Sequence, residues 1–264
     1  MSCKRCFRDC KRHKQGLCNT CYEFLRRNHL IKIKKPVPTP EVLSYIQEQY
    51  LIGSMLGDGN LCLNTSAKNA RLQISRKRED EGYLRLEAAV FIDFCKNNPV
   101  KYKDLFDKRT NKTYYQVFFR TRNCPVLNTY YKNWYPNGKK IVPYDLVLTP
   151  EVLLIWFLDD GHCHVSKTGR LKLGISTDGF LKEEVDRLAS MLKDLTGFYF
   201  SVTKSRSNYA IQCCDGAARA FLKIIDGIYP ECMLRKASWR KPEVRFYDKS
   251  VKIYKSTGKR HDTK

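Results

Sequence analysis

Leu51-Ile52-Gly53-Ser54-Met55-Leu56-Gly57-Asp58-Gly59 is an apolar helical stretch that ends in one carboxylate and a glycine. Leu153-Leu154-Ile155-Trp156-Phe157-Leu158-Asp159-Asp160-Gly161 has the same form. Aligning the two terminal Asp-Gly pairs sets Asp58 opposite Asp160. One apolar helix ending in Asp-Gly says little, because Gly commonly ends helices. Two of them, a domain's length apart in one strongly basic chain, define a repeat.

The elements around each stretch recur in the same order. Thr39-Pro40-Glu41 reads as a helix start, with Thr at the N-cap, Pro in the first position and an acid in the first turn. The helix is expected from about Pro40 to Leu56. Leu61 and Leu63 then share one parity and Asn60, Cys62 and Asn64 the other, as in a strand with one buried face. Residues 70–75 repeat this, with Leu72 and Ile74 inward and Arg71, Gln73 and Ser75 outward. A helix over 80–95 carries a stripe of Tyr83, Leu86, Val90 and Phe94. Strands at about 100–105 and 113–121 follow, with Tyr115, Val117 and Phe119 inward and Gln116, Phe118 and Arg120 outward. A helix at 124–134 closes the set.

Thr149-Pro150-Glu151 starts the series again. The expected strands are 161–166, 170–177, 199–204 and 208–214, and the expected helices are 181–195 and 216–228. His162 and His164 face outward on the first strand, and Arg170 and Lys172 on the second. Each half is αββαββα. Thr39 lies farther ahead of Asp58 than Thr149 lies ahead of Asp160, so the first helix is expected to be about two turns longer.

With 264 residues, 42% of them apolar, the chain can bury a substantial core as one large domain or two modest ones. Lys and Arg outnumber Asp and Glu by 49 to 27, and the resulting +22 charge points to a polyanionic partner, most simply nucleic acid. The absence of a long apolar run excludes a transmembrane helix. The N-terminus lacks a signal-peptide core, so an intracellular location is expected, in a bacterial or phage-infected cytoplasm or in an organelle. In that setting the 12 Cys residues are thiols and metal ligands rather than disulfides.

Residues 1–30 stand apart. Cys3-x2-Cys6 and Cys18-x2-Cys21 form two knuckles whose four thiolates suit tetrahedral Zn²⁺. Cys10 is a spare that could replace Cys3, and His13 is a further candidate ligand. A segment so poor in aliphatic residues needs the metal to fold. Lys4, Arg5, Arg8, Lys11, Arg12 and Lys14 make it fit for phosphate contacts. Residues 31–39, rich in proline and lysine, read as an extended linker. The repeats then occupy 40–148 and 149–264, the second with a basic C-terminal tail.

A duplicated αββαββα unit whose first helix ends in Leu-x-Gly-x-x-x-x-Asp-Gly resembles the LAGLIDADG homing endonucleases, in their single-chain, two-repeat form. The likeness covers roughly 40–250, and "NGKKIVPYDL" and "YPECMLRKASW" lie where the family often carries a lysine. Gly16-Leu17-Cys18-Asn19-Thr20-Cys21-Tyr22 is similar to the small knuckles found beside phage and bacterial nuclease domains. The resemblance implies an α+β fold with two saddle-shaped antiparallel sheets over the DNA major groove. It implies a monomeric enzyme that cuts both strands of a long double-stranded site with Mg²⁺ (or Mn²⁺) and leaves short 3′ overhangs. It also implies that the two motif helices pack together and bring Asp58 and Asp160 to one spot as the catalytic, metal-binding pair. Gly57 and Asp159 sit beside them at the metal site, and Asp159 is the rival to Asp160 as ligand. Lys140, with Lys139 as alternative, and Lys236 are implied as catalytic lysines. Arg76 and Thr177 stand where the family places water-organising residues.

The physics agrees with this picture. Carboxylates holding a hard cation supply charge neutralisation and an activated water for phosphodiester hydrolysis. Gly53-x3-Gly57 permits close helix approach, but Ile155 and Asp159 at the matching positions make the contact asymmetric. Arg71, Gln73, Arg76, Gln116, Arg120, Arg170, Lys172 and Gln212 are side chains of the types that read base edges. Two alternatives share the fold: an intron maturase with structured RNA as partner, and a catalytically inactive DNA-binding regulator.

Overall fold

The motif helices begin differently from one another. In the computed structural model, which describes residues 2–9, 13–14, 16–28, 38–205, 208–226 and 229–237, Thr149 caps its helix. Its hydroxyl accepts the Val152 N–H at 3.2 Å, and Pro150 opens the first turn. Thr39-Pro40 does no such thing. The first motif helix starts at Tyr45, because Ser44 and Gln47 form a capping box: Gln47 N–H donates to Ser44 Oγ at 3.3 Å and Ser44 N–H to Gln47 Oε1 at 2.9 Å. The expected two-turn excess is therefore absent, and the helices have 12 and 11 residues.

The chain divides into two compact units, Met1–Thr39 and Pro40–Lys264. In the first, β1 (His13–Lys14) pairs antiparallel with β2 (Leu17–Cys18), and α1 (Asn19–Arg27) follows. Its core is Cys3, Leu17, Cys18 and Cys21, with Cys6, Tyr22 and Leu25 packed against them. Cys10, the linker residues 31–37 and the tail beyond Ala237 lie outside the described residues.

The second unit carries the duplication. After α2 (Tyr45–Leu56) come β3 (Gly59–Cys62), β4 (Arg71–Lys77), α3 (Glu81–Val90), β5 (Lys101–Asp107), β6 (Lys112–Arg120) and α4 (Leu127–Trp134). The second series is α5 (Pro150–Asp160), β7 (Gly161–Val165), β8 (Leu171–Ser176), α6 (Lys182–Thr196), β9 (Ser201–Ser205), β10 (Asn208–Cys214) and α7 (Gly216–Ile224), and a 3-10 segment, Glu231–Ala237, follows it. The sheets run β3-β4-β6-β5 and β7-β8-β10-β9, so both halves share one antiparallel topology. One continuous core holds both inner faces, with Leu72, Ile74, Val117 and Phe119 from the first sheet and Leu171, Leu173, Ile175 and Ile211 from the second. This is the α+β fold expected from the sequence.

Three buried-face assignments change: Leu63 lies past the end of β3 and is exposed. Leu86 of α3 is 47% exposed, and the buried face is Tyr83, Leu84, Glu87 and Ala88. Tyr115 is also exposed, because the first half of β6 runs past the core with open surface on both faces.

Candidate active site

α2 and α5 pack through a glycine groove. A Cβ on Gly53 would lie 2.7 Å from Ile155 Cβ, and a Cβ on Gly57 would overlap the Asp159 side chain. Each glycine thus receives the larger residue across from it, which answers how the asymmetric pair is accommodated. At the far end of the helices, Thr149 Oγ1 donates to Gln49 Oε1 at 2.6 Å across the pair. At the near end both helices stop at the motif Asp-Gly. Gly59 is required there because a Cβ would stand 2.6 Å from the Ser54 carbonyl oxygen, where β3 turns back along α2.

Asp159 is fully buried, and both its oxygens are engaged. Oδ2 accepts the Asp58 N–H at 3.1 Å, and Oδ1 accepts Arg76 Nη2 at 2.5 Å. This argues against Asp159 as the alternative metal ligand, since its carboxylate has no solvent exposure and is held by Arg76. Burial pushes its carboxyl well above the ordinary range, against the pull of Arg76. Arg76 also makes a two-pronged pair with Glu87, through Nε and Nη2 at 2.7 Å each, and reaches Asp58 Oδ2 through Nη1 at 2.8 Å. Burial works against its charge, but Asp159 and Glu87 overcome that and hold it firmly protonated. Arg76 is therefore not a DNA-facing side chain. It shares the parity of Leu72 and Ile74 and points into the core.

Asp58 keeps 43% of its side chain exposed. Asp160 is less open: burial, then the charge of nearby Asp58, lifts its carboxyl to about 7. Lys140 Nζ donates to the Gly57 and Gly59 carbonyls at 3.4 and 3.0 Å, the two that flank Asp58. Lys236, from Glu231–Ala237, does the same to the carbonyls flanking Asp160, at 3.3 Å to Asp159 and closer still to Gly161. Burial lowers both lysines, Lys140 to about 8, while the neighbouring aspartates pull the other way. Lys139, the alternative to Lys140, is exposed. Thr177 is buried and donates to the Tyr209 carbonyl at 2.6 Å, so it does not face the opening where water would be organised.

The donors fit a hard divalent cation. Asp58 and Asp160 offer carboxylate oxygens, the donor type such a cation takes, and a bound cation would offset the burial and the Asp58 charge that raise Asp160. Gly57, placed at the same spot by sequence, has its carbonyl turned to Lys140.

The outward sheet rows follow the expected parity. Asn60, Gln73 and Arg120 lie side by side across the first sheet, and Arg120 Nε donates to Gln73 Oε1 at 2.6 Å. Arg71 and Gln116 lie on the same face. On the second sheet Lys172 is level with His164, and Gln212 and His162 flank Gly174 in one row. Arg170 is exposed in the turn just ahead of β8.

In the first unit the Sγ atoms of Cys3, Cys6, Cys18 and Cys21 lie within 4.8 Å of one another, and Cys6 and Cys18 are 3.7 Å apart. A tetrahedron with Zn–S bonds of about 2.3 Å has edges of roughly 3.8 Å, so the donors fit zinc. Backbone N–H groups, chiefly of Cys18 and Cys6, lower the Cys3 thiol to about 5, while burial and the neighbouring thiols push Cys21 up to about 12, a crowding of sulfurs that a bound cation would relieve.

Two matched repeats, each with a motif aspartate under an antiparallel sheet, define a LAGLIDADG protein. The model of the LAGLIDADG DNA endonuclease family matches residues 48–221, and the chain belongs to that family. Among its relatives, DNA endonuclease I-ChuI of Chlamydomonas applanata is 28% identical over 211 residues, 74% of this chain and 96% of that protein. Cytochrome b mRNA maturase bI2 of Debaryomyces hansenii is 30% identical over 174 residues, 64% of this chain and 61% of that one. The solved structure of the homing endonuclease I-WcaI bound to its DNA recognition sequence shares the fold, with a TM-score of 0.68 and 22% identity over 83% of this chain and 92% of that one. No helix among the described residues is long and apolar enough to cross a membrane.

Glu87 is the functional-site residue that sequence reading missed. Its signal was a lone acid on the face that Tyr83 and Leu84 bury, where an unpaired carboxylate would be costly.

Proposed function

We propose that this chain is a site-specific endonuclease that binds a long double-stranded DNA site and hydrolyses both strands with Mg²⁺ or Mn²⁺, leaving short 3′ overhangs. The observation that carries this reading is the pair of motif aspartates at adjacent helix ends, each with a lysine seated on the carbonyls that flank it. Asp58 and Asp160 would hold the metal, which when bound supplies charge neutralisation at a phosphate and an acidified water. Lys140 has three N–H donors. Two point at Gly57 and Gly59, and the third remains for a water or a phosphate oxygen. A lysine near 8 still holds its proton at neutral pH and gives it up more readily than a solvated one.

Arg71, Gln73, Gln116, Arg120, Lys172 and Gln212, with Arg170 in the adjoining turn, would meet base edges and phosphates along the sheets. Both acids come from one chain, so one chain suffices for both cuts. Cys3, Cys6, Cys18 and Cys21 would hold one Zn²⁺, and the basic unit they organise would touch DNA beyond one end of the site. A second reading is favoured by the maturase relative: the same basic sheets would hold structured intron RNA.

The test is incubation of the full chain with a plasmid library bearing a randomised duplex insert, in Mg²⁺, in Mn²⁺ and in EDTA. The expected result is linearised plasmid from a defined subset of sequences, with 3′ overhangs, in either metal and not in EDTA. Absence of any linear product in both metals would sink the endonuclease reading.

A further inference from the structure

The two half-sites are not built alike. Asp58 is gripped twice, at Oδ2 by Arg76 Nη1 and at its N–H by Asp159 Oδ2. Arg76 is itself immobilised, with 3% of its side chain exposed, both prongs on Glu87, a third contact to Asp159, and its guanidinium 4.3 Å from the Tyr83 ring centre. It takes one carboxylate oxygen of Asp58 and leaves Oδ1 out of the bond. In the second repeat the strand end that matches Arg76 is Thr177, whose hydroxyl is committed to the Tyr209 carbonyl. Among the described residues no hydrogen bond or ion pair joins an arginine to the Asp160 carboxylate, and the charges that weigh most on it are Asp58, Lys140 and Lys236.

We propose that Arg76 is a positioning residue for one half-site only, fixing Asp58 so that the two DNA strands are cut at unequal rates. A preorganised carboxylate reacts faster than one that must be ordered, and a misplacement of about 1 Å can cost on the order of 10²-fold. The strand served by Asp58 is cut first, and a nicked duplex accumulates before the double-strand break. This inference rests on the endonuclease reading above.

The experiment uses the full chain and a duplex recovered from the randomised library, labelled separately at each 5′ end, so that the two cuts are timed independently in Mg²⁺. Wild type is expected to nick one defined strand first. Arg76→Lys keeps a charge but cannot reach three carboxylates. It is expected to slow the first-cut strand about tenfold or more and the other strand less than about threefold, with DNA affinity within about twofold of wild type. A merely structural residue would slow both strands together. A second variant, Arg76→Met with Glu87→Leu and Asp159→Asn, removes the buried charges as a set, keeps an acceptor for the Asp58 N–H, and is expected to give the same one-strand loss. It replaces the first if Arg76→Lys fails to fold. Equal slowing of both strands, or of neither, overturns the proposal. A wild type that cuts no library sequence overturns the endonuclease reading instead, so the two failures are distinct.

Discussion

Substituting Gly53 with alanine sets two effects of opposite sign against each other. Alanine is worth about 1 kcal/mol over glycine inside a helix, so propensity alone says the protein should gain stability. The helix pair says otherwise. The new Cβ would stand 2.7 Å from Ile155 Cβ, 2.9 Å from its Cγ2 and 3.0 Å from the Val152 carbonyl oxygen. None of these is the free end of a flexible side chain, so α2 and α5 must move apart. Overpacking of this kind costs about 1–3 kcal/mol, and contact with a branch carbon and backbone places it at the upper end. The net is a loss of about 1–2 kcal/mol, the difference of those two figures. In a unit of this size that lowers Tm by about 3–6 °C. Calorimetry of the full chain reads the shift directly. The aspartates at the helix ends separate along with the helices, so cleavage per folded molecule should fall too. A Tm equal to or above wild type would refute the close-contact argument.

Asp58→Asn or Asp160→Asn should each abolish double-strand cleavage while DNA binding, measured by gel shift, survives; a single variant that still cuts both strands near the wild-type rate would contradict the shared site. Elemental analysis should find one zinc per chain and none in protein lacking residues 1–35, and zinc retained after truncation would move the metal to another thiol or to the His162/His164 pair. The same truncation should shorten the DNase footprint on one side only, with cut positions unchanged. Thr149→Ala removes both the α5 cap and the partner of buried Gln49, and should cost about 1–2 kcal/mol by denaturant unfolding, whereas a change under half of that would show that Gln49 finds another donor.

The repeat, the strand parity and the asymmetry of the helix contact were legible in the sequence, because each depends on local spacing, whereas the seating of Asp159 against Gly57 was not. The helix start was not. Thr39-Pro40-Glu41 has the composition of a cap, but Ser44 and Gln47 satisfy each other's backbone and win. Composition cannot rank two adjacent caps. Arg76 was misplaced for a different reason. Its parity with Leu72 and Ile74 pointed inward, and its basic character argued outward, yet the deciding partners lie far along the chain at Glu87 and Asp159. A buried charge is visible only with its counterions, and those come from tertiary structure. Lys140 and Lys236 could be assigned by family resemblance, but that both sit on motif carbonyls depends on the loop and 3-10 segment that carry them.

The unequal helix seam has a bearing on how such a chain can be divided. Were the first repeat to meet a copy of itself, Gly53 and Gly57 would face their own counterparts, and the two helices could approach more closely than Ile155 and Asp159 now allow. Were the second to meet its own copy, two isoleucines would collide and two buried carboxylates would oppose each other with too little cation between them. The second half is therefore the one that needs the first as its mate. Cutting the connection between the repeats and mixing the pieces would disfavour the pair of second repeats, while the mixed pair keeps the glycine-to-larger-residue fit seen here.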